Sequence, residues 1–350
     1  MTRRLIGGLV LTGLLLAWPA TAPSARAGDL IRLFGDDNVG SAGGQFLKIP
    51  AGARAVALGK AYASLATDGS APFWNPAGLM RTPGRRNFFF GHTEYTADIA
   101  LDFAAVHVRG QNFGYGLTFG GLRSGDILRT TELHQQGTGQ YFDANQFYLG
   151  LSLARAMTDR FSVGGTVKYY QENLDSFRLK AVLADLGILY LVGVGDLQVG
   201  FSVRNFGSDL KPGGTPPPMP DGYVHYPDFQ SYSAPTEGAF GVSRTWNLAG
   251  GLGLLTVADF YHPSDATETF RFGAEAGIRG MLYLRSGYET SRDEGGFAAG
   301  FGLRLERKQL LLRIDYAYSD MGAFGTVHQV SVDVSPLFAP RPADAWRRSR

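Results

Sequence analysis

The chain has no cysteine among its 350 residues, so disulfides, thiolate nucleophiles and cysteine-ligated metals are excluded. Charge is scarce: Asp, Glu, Lys and Arg make up 18%, against about a quarter in ordinary soluble domains. The formal net charge of +2 carries no basic excess of the kind nucleic acid recruits, so nucleic acid is not expected as a partner. Beyond the first 27 residues no apolar run approaches the roughly 18 residues of a membrane helix. Catalytic arrangements are missing too. The six histidines, His92, His107, His134, His225, His262 and His328, are scattered with no metal-ligand spacing. No nucleophile elbow and no phosphate-binding glycine loop occurs. The expectation is a protein that is not an enzyme, with no catalytic residue, no metal and no cofactor.

Glycine (48 residues) and aromatics (13%) are plentiful instead. The chain opens with a basic pair, Arg3 and Arg4, an uncharged apolar run from Leu5 to Trp18, and the small-residue site Ala25-Arg26-Ala27. This is the pattern of a secretory signal peptide over 1–27, with cleavage near Ala27 and a mature chain from Gly28. Residues 28–44 read as a flexible leader.

From Asn87 onward, fourteen strand-like segments follow: 87–95, 99–109, 112–123, 142–156, 160–172, 180–192, 195–205, 238–247, 249–260, 268–279, 281–290, 295–306, 309–320 and 326–335. Each is about long enough to cross a bilayer at the tilt that barrel strands adopt. Connections alternate between tight turns and longer loops, the longer ones being 124–141, 173–179, 206–237, 261–267, 291–294 and 321–325. That asymmetry is expected of an outer-membrane barrel, with short turns in the periplasm and long loops outside. A sandwich or propeller has no reason for it. The expected fold class is all-β: a transmembrane antiparallel barrel of about 14 strands over 87–335. A flexible tail follows at 336–350.

Alternation within the strands separates two faces. Phe270, Phe272 and Ala274 oppose Arg271 and Glu275; Leu310, Leu312 and Ile314 oppose Arg313 and Asp315; Val182, Ala184 and Leu186 oppose Asp185. In water the charged faces would be solvated around a greasy core; in a membrane they line the lumen and the apolar faces meet lipid. The second reading makes Lys168, Asp185, Arg271, Glu275, Arg285, Arg313 and Asp315 candidate lumen-lining residues, with Asp259, Glu289, Arg304 and Asp333 beside them. Their mixed sign points to internal ion pairs bracing wall and plug rather than to a selectivity filter. Phe88, Tyr95, Phe147, Tyr148, Tyr169, Tyr170, Tyr288 and Tyr318, near strand ends, fit interfacial girdles. The longest loop, 206–237, is rich in proline and aromatics; it reads as a lid over the mouth or as a surface for a lipid, sugar or protein.

The stretch from Gln45 to Met80 is neither strand nor tail. Its Ala-rich part, Ala53 to Ala66, predicts a short helix, and Phe73-Trp74-Asn75-Pro76-Ala77-Gly78 an apolar turn. The segment FLKIPAGARAVALGKAYASLATDGSAPFWNPAGL resembles the N-terminal signature of the PorV/PorQ family of outer-membrane proteins, relatives of FadL-type transporters. That resemblance implies a 14-stranded barrel in the bacterial outer membrane. It also implies that 28–86 is a periplasmic leader and a hatch inside the barrel, whose Phe73, Trp74, Asn75, Pro76 and Ala77 plug and gate the lumen. Two functions follow from it. One is passage of a hydrophobic small molecule without a cofactor. The other is a type IX secretion role, in which the outer loops bind an exported protein and secretion-apparatus subunits are partners. Outer-membrane lipid surrounds the protein in either case.

Overall fold

The computed structural model describes residues 39–95, 99–214, 229–290, 295–307 and 309–337. The signal peptide with its cleavage site, most of the leader, the middle of the 206–237 loop and the tail from Phe338 lie outside the described residues.

Seventeen strands follow one another: β1 Arg86–Glu94, β2 Ala100–Arg109, β3 Phe113–Arg123, β4 Ile127–Leu128, β5 Tyr141–Phe142, β6 Ala144–Ala156, β7 Phe161–Leu174, β8 Phe177–Leu191, β9 Leu197–Gly207, β10 Gly213–Gly214, β11 Glu237–Asn247, β12 Leu252–Pro263, β13 Thr269–Ile278, β14 Leu282–Glu289, β15 Phe297–Arg307, β16 Leu310–Asp320 and β17 Thr326–Pro336. Three of them have two residues each: β4 and β5 form a ribbon within one loop, and β10 rides on the upper end of β8. The other fourteen pair antiparallel, each with its neighbour, and β17 pairs with β1 to close the cylinder. Closure leaves no open edge, which is what permits strands to cross a bilayer. All fourteen coincide with the segments expected from the sequence to within a few residues.

Period-two burial runs through the wall. Leu311, Asp315, Ala317 and Ser319 of β16 are buried while Leu310 and Ile314 stand exposed. The same split puts Phe270 and Phe272, Val182 and Leu186, Leu151 and Val167 outside. Among the described residues no helix is long and apolar enough to cross a membrane; the exposed apolar strand faces form the lipid-facing band.

Three expectations are corrected. First, the long connection at 173–179 is a two-residue turn, Asp175-Ser176, because β7 and β8 extend to Leu174 and Phe177. Asp175 adopts the left-handed backbone conformation (φ 53°) that closes the hairpin. Second, the helix ends at Ala57 instead of Ala66. Gly59 and Lys60 both take φ 65°, and a Cβ at Gly59 would stand 2.6 Å from Tyr288 N and 2.8 Å from Phe272 O. The small residues that read as helix formers are small because hatch backbone lies directly on wall backbone. Third, Tyr148 and Tyr170 do not join an outer girdle: both are buried and face the lumen, whereas Phe88, Tyr169 and Tyr288 are exposed.

Candidate functional site: the hatch in the lumen

The hatch enters from the long-loop end, not from the short-turn, periplasmic side expected for the leader. Ala42 bridges to Ser233, and Gly40 N donates to Asp265 O in the loop after β12. A 3-10 turn, Gln45–Lys48, follows, then α1 (Ala53–Ala57), α2 (Ala71–Trp74) and a second 3-10 turn, Pro76–Met80, near the short-turn end. From Ala51 to Met80 every residue is buried except the half-buried Arg54, Lys60 and Thr67. The lumen is filled by its own chain.

Phe73, Trp74, Asn75, Pro76 and Ala77 all lie inside the barrel. Asn75 links the hatch to the wall. Its Oδ1 accepts from Ala77 N at 3.1 Å, setting the turn. Its Nδ2 donates to Ala63 O at 2.8 Å and to Ile188 O at 2.9 Å, with Phe201 O at 3.3 Å. Ile188 and Phe201 are opposed residues on β8 and β9, so one amide touches both strands. The contact requires glycine in the wall: a Cβ at Gly187 would overlap Asn75 Oδ1, and one at Gly164 would come within 2.5 Å of the Pro76 carbonyl carbon.

The lumen has two unlike halves. Along β1–β8 the inward side chains include an apolar and aromatic cluster, Phe89, Phe103, Tyr148, Tyr170, Leu179 and Leu183, interspersed with polar residues such as His107, Thr118 and Thr166 and with the Lys168–Asp185 pair. Hatch rings complete this half. Phe73 meets Phe103 edge-on at 5.8 Å and Trp74 at 5.1 Å; Phe46 sits 5.8 Å from Tyr148. Trp74 Nε1 is satisfied by Ala51 O at 2.8 Å. Along β11–β17 the inward side chains include a dense set of ionic groups. Glu275 accepts from Arg54 at 2.9 Å and Arg285 at 2.6 Å, and Arg285 reaches Asp315 at 2.7 Å. Arg271 pairs with Glu289 at 2.8 Å. Arg313 lies 3.6 Å from Asp68.

The hatch carries four charged residues between Gln45 and Met80, and each meets a partner of the wall or its loops: Lys48 with Asp265 at 2.8 Å, Arg54 with Glu275, Lys60 with Glu289 at 2.6 Å, Asp68 with Arg313. Burial alone would raise the Asp68 pKa, but Arg54 and Arg313, helped by hydrogen bonds from Ser70 and Tyr62, outweigh it and hold the carboxyl below its ordinary value. Asp259 accepts from the backbone N–H of Tyr62 and Ala63 at 2.7 and 2.8 Å, and Asp333 from Gly69 N at 2.9 Å. Arg304 differs from the rest of the set. It stands half-exposed at the short-turn rim, 3.1 Å from Glu306.

Between the halves, β8 and β9 lose register. Leu186 opposes Val203 but Ala184 opposes Phe206, leaving Arg204 and Asn205 both turned inward and buried. Asn205 has φ 59° and gives its N–H to Asp185 at 2.8 Å. Lys168 pairs with Asp185 at 2.7 Å and donates to Asn205 Oδ1 at 2.9 Å. Arg204 pairs with Glu237 at 3.0 Å and lies over the Phe73 and Trp74 rings at 4.7 and 5.1 Å. Arg204, Asn205 and Glu237 were not among the sequence candidates. Their signal is two successive polar residues interrupting a period-two pattern, which marks a bulge.

A cleft of about 490 Å³ opens at the short-turn end, bordered by Arg54, Leu65, Leu255, Glu275 and Tyr283. Among the described residues no group of His, Asp and Glu could hold a metal ion.

No family model matches the chain, and no curated protein does. Solved structures do. A structure described as the CymD monoaromatic hydrocarbon channel is 13% identical with a TM-score of 0.55, over 83% of this chain and 98% of that one. The toluene transporter TbuX of Ralstonia pickettii is 14% identical at 0.54, over 82% and 98%. The toluene transporter TodX of P. putida is 13% identical at 0.55, over 83% and 99%. At such identities the likeness is one of fold, and this chain is a closed 14-stranded antiparallel barrel of the architecture these channels share, with short N-terminal helices packed in its lumen.

Proposed function

We propose that the protein passes small hydrophobic molecules across the bacterial outer membrane, moving them down a gradient along the aromatic half of the lumen. Export by a signal peptide cleaved near Ala27 belongs to this reading, as does a gating role for the Phe73–Ala77 turn. The observation that carries it is the division of the lumen. Phe89, Phe103, Tyr148, Tyr170 and Leu183 offer a continuous apolar strip on one wall, while the ion pairs that hold the hatch stand on the other. A hydrophobic ligand gains transfer free energy along the strip, passing the buried Lys168–Asp185 pair at its edge without separating the pairs that hold the hatch. The fold neighbours named for toluene and monoaromatic hydrocarbons agree with a ligand of that class. No cofactor or covalent step is required.

The test is uptake of a monoaromatic probe into cells or proteoliposomes with wild-type protein and with Phe73→Ala. Faster uptake than in protein-free controls, altered by the substitution, supports the reading; uptake equal to the controls refutes it. The second reading, a type IX secretion component holding exported protein at the surface, rests on the signature over Phe46–Leu79 alone. Recovery of secretion-apparatus subunits with the barrel from outer membranes, in the absence of probe uptake, would replace the first reading by the second.

A further inference from the structure

We propose that the outer face of β8, at the long-loop end, binds a phosphorylated lipid of the membrane leaflet on that side. The outward residues of β8, read downward, are Arg178, Lys180, Val182, Ala184, Leu186, Ile188 and Tyr190. Alternation points them all away from the lumen. Val182 and Leu186 are 57% and 64% exposed, as lipid-facing side chains are. The two cations stand directly above them, and alternate residues are only about 7 Å apart along a strand.

The neighbouring strand changes character at the same level. On β7 the outward residues are Val167 and Tyr169, then Gln171 and Asn173; Tyr169 is paired with Val182, and Gln171 with Lys180. The boundary between hydrocarbon and headgroup therefore passes between these two rungs, and Lys180 sits on its polar side. This is the depth at which a lipid phosphate lies and at which basic pockets take anionic headgroups.

A cleft of about 650 Å³ opens there, lined by Arg178, Lys180, Lys211, Asn173, Asp175 and Asp209, with β10 beside it. Asp175 is engaged by Arg129 at 2.6 Å, which leaves Asp209 as the other carboxylate of the lining, opposite Arg178 and Lys180. Asn173 Oδ1 accepts from Arg178 Nε at 2.9 Å and fixes the guanidinium. Among the described residues, no hydrogen bond or ion pair engages Lys180 Nζ or the terminal nitrogens of Arg178. A lipid uses both parts of this surface: its phosphate meets the cations, and its acyl chains lie on Val182, Leu186, Val167 and the exposed Phe206. A soluble anion would leave the apolar part unused.

The experiment measures retention of lipid A by the full-length mature protein in detergent, using native mass spectrometry. The comparison is with the same lipid after phosphatase treatment and with inorganic phosphate as competitor. The variant is Arg178→Gln with Lys180→Gln, both on the exterior; thermal unfolding and hydrophobic-probe uptake should stay at wild-type values. Two headgroup cations correspond to about thirtyfold in affinity, so the variant should bind lipid A about that much more weakly, and dephosphorylated lipid should bind the wild type as weakly. Equal binding of phosphorylated and dephosphorylated lipid, or an unaffected double variant, overturns the proposal. Inorganic phosphate that displaces the lipid at the lipid's own affinity overturns it too, because the cleft is then an anion site without a lipid component.

Discussion

Asn75 donates its side-chain amide to the carbonyl of Ile188 at 2.9 Å, so a hatch turn is hydrogen-bonded to the backbone of the barrel wall. Removing that amide leaves buried carbonyls without a donor, at about 1–3 kcal/mol. Asn75→Ala should lower the unfolding temperature of the detergent-solubilised barrel and raise the flux of a hydrophobic probe. Asn75→Asp keeps the shape and the turn-setting acceptor but loses the donor, and should behave like the alanine variant. An asparagine-to-aspartate change without effect would show that the wall contact does not hold the hatch.

Arg54 and Glu275 test the ionic side. Breaking a buried pair by removing one partner costs about 3–5 kcal/mol, whereas replacing both by apolar groups is often neutral. Arg54→Met should therefore destabilise more than Arg54→Met with Glu275→Met together. The complication is Arg285, which shares Glu275 at 2.6 Å; its remaining bond to Asp315 should keep the double variant folded. Unfolding temperatures of the three proteins decide the order.

Phe73 fills the apolar half between Phe103 and Trp74. Phe73→Ala should leave an apolar cavity and cost about 3–5 kcal/mol. It should speed uptake of a monoaromatic probe more than uptake of a polar solute of equal size, because the Phe103 and Trp74 rings remain to hold an aromatic solute, stacked beside the Arg204 guanidinium. Equal acceleration of both solutes would mean that the hatch had come away as a whole.

Asp68 predicts a pH dependence. Its folded pKa is depressed below the unfolded value, so its contribution to stability is fully present above about pH 4 and is lost as pH falls through the folded pKa. Wild-type unfolding temperature should fall below pH 4 more steeply than that of Asp68→Asn, which already lacks the contribution at neutral pH. Parallel curves would show that Asp68 does not carry the acid response.

The strands were legible because alternation is local. Leu310 to Ser319 sort themselves into two faces by position alone, and the wall obeys that sorting. Lys168, Asp185, Arg271, Glu275, Arg285 and Asp315 are buried and Arg313 half-buried. Local pattern failed where contacts are long-range. Ala53–Ala66 looked helical because helix propensity ignores the wall that Gly59 touches. Asp175-Ser176 was hidden in a longer loop because Asn173 and Arg178 look like loop residues until their pairing across β7 and β8 is known. Arg204 and Glu237 pair across 33 positions of sequence, and no periodicity announces such a pair.

By itself the sequence determined that fourteen strands follow one another and turn their charges to one side, since period-two patterns act between near neighbours. Only the tertiary structure decided which charges meet, where β8 slips against β9, and that aromatic and ionic walls face each other across the hatch. Those outcomes depend on closing the cylinder, which brings residues more than 200 positions apart, such as Arg54 and Glu275, within hydrogen-bonding distance.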